Sequence, residues 1–121
     1  MTQVAGSNEI VRVQRISLEA LARQQLELAA SHGGRAADTV VGGHERVLRQ
    51  TVIALLAGTT LSEHANPGEA TVYVLRGRVR LAAGTNSWDG RTGDLLKVPD
   101  ASHSLEAVED SAVLLTVAKL P

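Results

Sequence analysis

GTTLSEHANPGEATVYVLRG, residues 58–77, holds the features that decide the fold. A β-branched, apolar run from Thr71 to Leu75 stops at Gly77, and ahead of it stand His64 and the turn signal Asn66-Pro67-Gly68. Such a run reads as a strand, because β-branched side chains suit a pleated surface and a Pro-Gly pair presets a turn. The histidine places an imidazole at the mouth of a β structure. A second stretch, GDLLKVPDASHSLEA at residues 93–107, repeats the arrangement: the run Asp94 to Val98 stops at Pro99, and His103 follows. If both strands border one hollow, His64 and His103 converge in it.

Working outward, the pattern from Ala37 onward is of strands. Asp38 to Val41 is ended by Gly42-Gly43, and Arg46 to Ala57, with Thr51, Val52 and Ile53 at its centre, has the look of a central strand bounded by Gly58. Val79 to Ala82, Ser87-Trp88, Asp94 to Val98, His103 to Val108 and Ala112 to Ala118 complete the set, with Gly84-Thr85-Asn86 and Asp89-Gly90 as turn signals. Roughly eight to ten short strands punctuated by glycine predict an all-β sandwich or barrel. Upstream the period changes. Leu18, Leu21, Ala22, Gln25, Leu26 and Ala29 recur at helical spacing behind a capping Ser17, with Glu19 in the first turn and Gly33-Gly34 as the stop, so a helix is expected from about Leu18 to Ser31. Glu9 to Val13 alternates and is expected to form a short strand. The expected organisation is an N-terminal segment with one amphipathic helix, residues 1–36, and a barrel, residues 37–121.

A length of 121 residues, 44% hydrophobic and 21% charged, fits one globular domain with a modest core. A net charge of −1, with one Trp, one Tyr and no Phe, offers neither the basic surface nor the aromatic platforms of nucleic-acid binding. The absence of cysteine excludes disulfides, thiolate catalysis and thiolate metal sites. MTQVAGSNEI shows no basic segment followed by an apolar run, and no apolar stretch approaches a membrane span of about 18 residues. A cytoplasmic location without membrane association is expected.

These motifs resemble those of the cupin superfamily, the small RmlC-like jelly-roll barrels. Gly58 is followed after five residues by His64, and Tyr73-Val74-Leu75-Arg76-Gly77 matches the closing strand and turn of the family's first motif; Gly93, five residues, Pro99 and His103 fit the second, with one residue fewer between Pro and His than the common form. The likeness covers about Arg46 to Leu120. It implies an all-β fold, the cupin double-stranded β-helix, here with one N-terminal α-helix. It also implies metal ligands at His64 and His103. Typical members add a second histidine and a glutamate. Here those positions carry Asn66 and Ala70, with Glu69 one place earlier. A one-residue shift along a strand turns a side chain to the other face, so Glu69 substitutes for the missing carboxylate only if the strand starts after it. An amide oxygen is a poor ligand for first-row transition metals.

The candidate metal ligands are therefore His64 and His103, and the pocket candidates are Gln50, Asn66, Glu69, Tyr73 and His44. His103 shares parity with Leu105 and Ala107 and is expected to face inward. His44 is a third imidazole in a Gly-Gly-rich loop, where an exposed loop histidine is the plainer reading. Gln50 is an amide within an apolar strand; inside the barrel it needs a hydrogen-bond partner, and the outer face is the alternative. Trp88 fits core or interface better than a ligand platform. Ser102-His103-Ser104 are chain neighbours whose side chains point apart, unlike a nucleophile and its base, and the Gly-Gly pairs lack a phosphate-loop context. Two function classes remain. One is a small-molecule or metal-binding module, a sensor or accessory protein, with a divalent transition metal (Fe, Mn, Ni or Zn) or none. The other is a metal-dependent enzyme of the cupin dioxygenase or isomerase type using His64 and His103. Long strand edges and an apolar outer face lead to the expectation of a homodimer that binds a small-molecule ligand.

Overall fold

The computed structural model of the chain describes residues 13–64 and 68–119, with the backbone alone for Glu63 and His64. Apart from Val13, the expected strand Glu9 to Val13 lies outside the described residues, as do Asn66 and Pro67 of the turn. Helix α1 spans Leu18–Ala30. Ser17 caps it, its side-chain oxygen accepting from Ala20 N–H at 3.2 Å, and Glu19 lies in the first turn where the dipole favours an anion. At the other end Gly34 N–H bonds Ala29 C=O at 2.9 Å, and the His32 ring nitrogen Nδ1 lies 2.7 Å from the Leu28 carbonyl, satisfying a terminal acceptor. No helix among the described residues is long and apolar enough to cross a membrane.

Nine strands follow among the described residues: β1 (Arg35–Val41), β2 (Leu48–Leu55), β3 (Thr60–His64), β4 (Gly68–Arg76), β5 (Arg78–Ala83), β6 (Asn86–Arg91), β7 (Leu95–Lys97), β8 (His103–Ala107) and β9 (Ser111–Lys119). They form two antiparallel sheets, one in the order β1-β2-β9-β4-β7 and the other β3-β8-β5-β6. Alternation sorts the side chains. Ile53 and Leu55 of β2, Val72 and Val74 of β4 and Val113 of β9 meet Val79 and Leu81 of β5 and Leu105 and Ala107 of β8 in one buried cluster. Each fully buried aliphatic side chain contributes about 1.5 to 3 kcal/mol. The intervening positions on β2 and β9, such as Val52, Ala54 and Ala112, turn outward, and they are buried too because α1 packs across β1, β2 and β9 with Ala22, Gln25 and Ala29 inward. The helix thus covers one half of the larger sheet's outer face.

Three local features differ from the sequence expectation. Strand β3, which carries His64, has no counterpart among the expected strands: it is short, and its Ser62-Glu63-His64 end lacks a β-rich pattern. Asp89-Gly90, expected as a turn, lies inside β6, opposite Arg80 and Val79. Both residues have a sheet-specific role there. Asp89 accepts from two arginines across the strand, and a Cβ at Gly90 would stand 2.9 Å from Leu96 Cδ1, so only glycine lets the two sheets approach at that point. The long central strand is trimmed to Leu48–Leu55, the length that pairs with β9. Gly77, between β4 and β5, has φ +85°, and a Cβ there would collide with Asp110 C=O and Ser111. The buried Ser111 hydroxyl locks the same corner, accepting from Arg78 N–H at 3.0 Å.

Candidate functional site

Strand β3 is the edge of the smaller sheet and pairs with β8. The register runs Thr60 opposite Glu106, Leu61 opposite Leu105 and, after an irregularity, His64 opposite His103. Residues directly opposed in an antiparallel pair share a face, with Cβ atoms about 4.5 to 5.5 Å apart. Two histidines separated by 38 residues of chain therefore occupy one rung.

His103 is 7% exposed, and β8 alternates strictly, with His103, Leu105 and Ala107 buried. Its ring borders an interior cavity of about 30 Å³, together with Ile53, Leu61, Val72, Leu81 and Leu105. Nδ1 lies 3.0 Å from the Ala101 carbonyl, an acceptor only, so Nδ1 carries the proton in that contact. In the neutral ring this leaves Nε2 with its lone pair, the arrangement in which imidazole serves as a metal ligand or hydrogen-bond acceptor. The cavity is about the volume of one water molecule, and its walls are otherwise aliphatic.

The other candidates lie elsewhere. Glu69 stands opposite Ala118 within β4 and is exposed on the outer face; because β4 already begins at Gly68, the strand does not start after Glu69. Ala70, opposite Val117, has the parity of Val72 and Val74 and takes the inward place. Tyr73 is opposite Leu114 and Leu95 on the outer face and 36% exposed. Gln50 is opposite Thr116 on that face, its Nε2 donating to Thr116 Oγ1 at 3.1 Å. His44 is an exposed turn residue, and Asn66 is outside the described residues. Among the described residues no three His, Asp or Glu gather as a metal-binding group. The fit to a resident metal is therefore incomplete: one backbone rung carries His64 and His103, the inward position that could bring a carboxylate holds alanine, and catalytic zinc sites use three protein ligands.

Two of the hollows away from the histidines border the sheets' free edges and had no signal in the sequence. The larger, about 620 Å³, is an open groove on the outer face of the five-stranded sheet, bordered by Glu69, Thr71, Lys97, Asp100 and Thr116. The smaller, about 160 Å³, lies where β6 and β7 meet and includes Trp88. Trp88 had no signal beyond being a lone tryptophan beside a turn. The outer face of the four-stranded sheet is polar by contrast. There Asp89 accepts from Arg78 and from Arg80 Nε at 3.0 Å, and these hydrogen bonds, that from Arg78 first, hold its carboxyl below the usual range.

No protein-family model and no curated protein matches the chain. Solved structures do. A conserved protein of unknown function from Streptococcus pyogenes superposes with a TM-score of 0.72 at 25% identity, over 97% of this chain and 98% of its own. An RmlC-like cupin protein from Desulfovibrio desulfuricans gives 0.63 at 20% identity, over 98% and 97%. A salicylate 1,2-dioxygenase mutant from Pseudoaminobacter salicylatoxidans gives 0.68 at 21%, over 82% of this chain and 33% of the enzyme.

Proposed function

We propose, from the premise that the chain has the cupin fold, that it is a binding module that takes a small molecule or a weakly held divalent metal ion at the His64–His103 rung, in a sensor or accessory role. One observation carries this reading. The hollow beside His103 is about 30 Å³, so a metal ion and a substrate cannot share it, and among the described residues no three His, Asp or Glu gather to hold a metal. Two neutral donors bind first-row metals loosely, in exchange with solvent. The second reading, a metal-dependent enzyme of the dioxygenase or isomerase type, draws support from the inward, buried placement of His103 on the rung shared with His64. The salicylate dioxygenase likeness, at 21% identity, speaks for the shared fold.

Metal analysis of protein purified without chelator separates the two. The module reading expects metal below about a tenth per chain, with added Ni²⁺ or Zn²⁺ binding weakly and the binding lost in the His64→Ala, His103→Ala double variant. Stoichiometric iron, manganese, nickel or zinc retained through purification and lost in that variant would establish the enzyme reading instead. The same proposal includes a homodimer formed on the uncovered part of the larger sheet's outer face, and a cytoplasmic setting.

A further inference from the structure

The row of inward-facing residues across the smaller sheet runs Leu61, Leu105, Leu81, Trp88, each opposite the next. The first three are covered by the larger sheet. Trp88 ends the row and is 46% exposed. The cause lies in the opposing layer: its edge strand β7 has three residues, and only Leu96, opposite Val72, reaches inward from it. Beside Gly90 the two edges close on each other, with Leu96 in contact range; beside Trp88 they part. The gap is a lateral slot of about 160 Å³, with Leu81 and Trp88 on one side, Leu96 and Pro99 on the other and Lys97 at its border. Leu81 is also a wall of the interior cavity, so slot and cavity are separated by one side chain.

We propose that this slot is a binding site for a small organic carboxylate with a ring-sized apolar body. Size comes first: an apolar cavity of about 150 Å³ accommodates a benzene-sized molecule. The lining is next. Leu81, Leu96 and Pro99 are apolar, and the indole of Trp88 offers a flat apolar wall whose burial by a ligand is favourable at about 25 cal/mol per Å². Charge decides the head group. Lys97 makes no ion pair among the described residues, and its flexible stem lets the ammonium meet an anion at the rim. The outer groove on the other side of Lys97 carries Glu69 and Asp100, whose carboxylates repel an anion, so the same ligand is not held there. The inference deepens the reading of the chain as a binding module and gives its ligand a class and a place apart from the histidines.

Trp88 is the only tryptophan in the chain, so its fluorescence reports the slot directly. The test is a titration of the metal-stripped, full-length protein with cyclohexanecarboxylate, and with the neutral cyclohexylmethanol as its control. The expected result is a saturable change in Trp88 emission with Kd below about 1 mM for the carboxylate, which falls within the span of small-ligand affinities. Lys97→Met, a change at an exposed position, weakens the carboxylate about fivefold, as expected for one solvent-exposed charge pair, and leaves the alcohol unchanged. His103→Ala preserves the signal. Absence of saturable change, or equal affinity in wild type and Lys97→Met, overturns the proposal. Metal binding to the histidine rung is measured on the same samples, so a failure of the slot and a failure of the rung are told apart.

Discussion

Asp89 illustrates how much of this molecule is decided by single cross-strand partners. It is opposite Arg80 and also bonded to Arg78, and both contacts depress its carboxyl pKa. A group whose folded pKa lies below its unfolded value adds stability above the unfolded value, near pH 4, and loses it as pH falls through the folded value. The site is solvent-exposed, so the effect is small. Asp89→Asn is expected to lower Tm slightly at pH 7 and to converge on the wild type as the pH falls through the depressed folded-state pKa of Asp89, in thermal melts followed by circular dichroism. Gly77 has a larger effect. With φ +85° and no room for a Cβ beside Asp110 and Ser111, Gly77→Ala should cost more than about 1 kcal/mol in urea unfolding. At the histidine rung the informative change is the double variant already described: loss of weak Ni²⁺ or Zn²⁺ binding with the fold kept.

At the scale of elements, α1 was legible because three cues agree: a capping serine, a stripe at helical period and a Gly-Gly stop. Its cap is the natural target. Ser17→Ala removes the acceptor for Ala20 N–H and should lower stability by about 1 kcal/mol, measured by denaturant midpoint at constant m. The strands through Ile53, Val72 and Val113 were legible for the same reason, since β-branched runs bounded by glycine have few alternatives. Strand β3 was not. Thr60 to His64 is an edge strand with a polar end, held by its rung partners on β8 more than by its own pattern, and pairing of that kind is invisible in the local sequence. Asp89-Gly90 misled for a related reason: a turn-like dipeptide serves a sheet when one residue answers arginines across the ladder and the other clears space for the facing layer. The motif spacing is compatible with the backbone register that sets His64 opposite His103, whereas the outward placement of Glu69, Tyr73 and Gln50 follows from strand limits that only the pairing fixes.

For the whole molecule the two outer surfaces differ in kind. The four-stranded sheet shows water a lattice of arginines and acids, and the five-stranded sheet is half covered by α1 and half bare. On the bare half Tyr73 and Leu95 are rung partners, 36% and 60% exposed, and β7 is an edge strand. A second copy laid on this patch would cover both side chains, in keeping with the self-complementary contact of a two-fold dimer. Size-exclusion chromatography with light scattering at micromolar concentration should give twice the chain mass, and Leu95→Glu should shift it to the single mass without altering the far-ultraviolet spectrum. A wild-type monomer under those conditions removes the dimer from the account.

Strand β9 lies between β2 and β4, with β2 paired along residues 48–55 and β4 from Gly68 to Arg76. The centre of the larger sheet is therefore supplied by residues 111–119, which leave the ribosome after the eight other described strands. Until it emerges, β2 and β4 have no common neighbour, and each keeps one ladder edge unpaired across a chain separation that is slow to close. Assembly of this sheet during synthesis must be a late and abrupt event, and a nascent chain stalled before Ser111 should be bound by chaperones and cut readily by proteases, whereas one released beyond Lys119 should resist both.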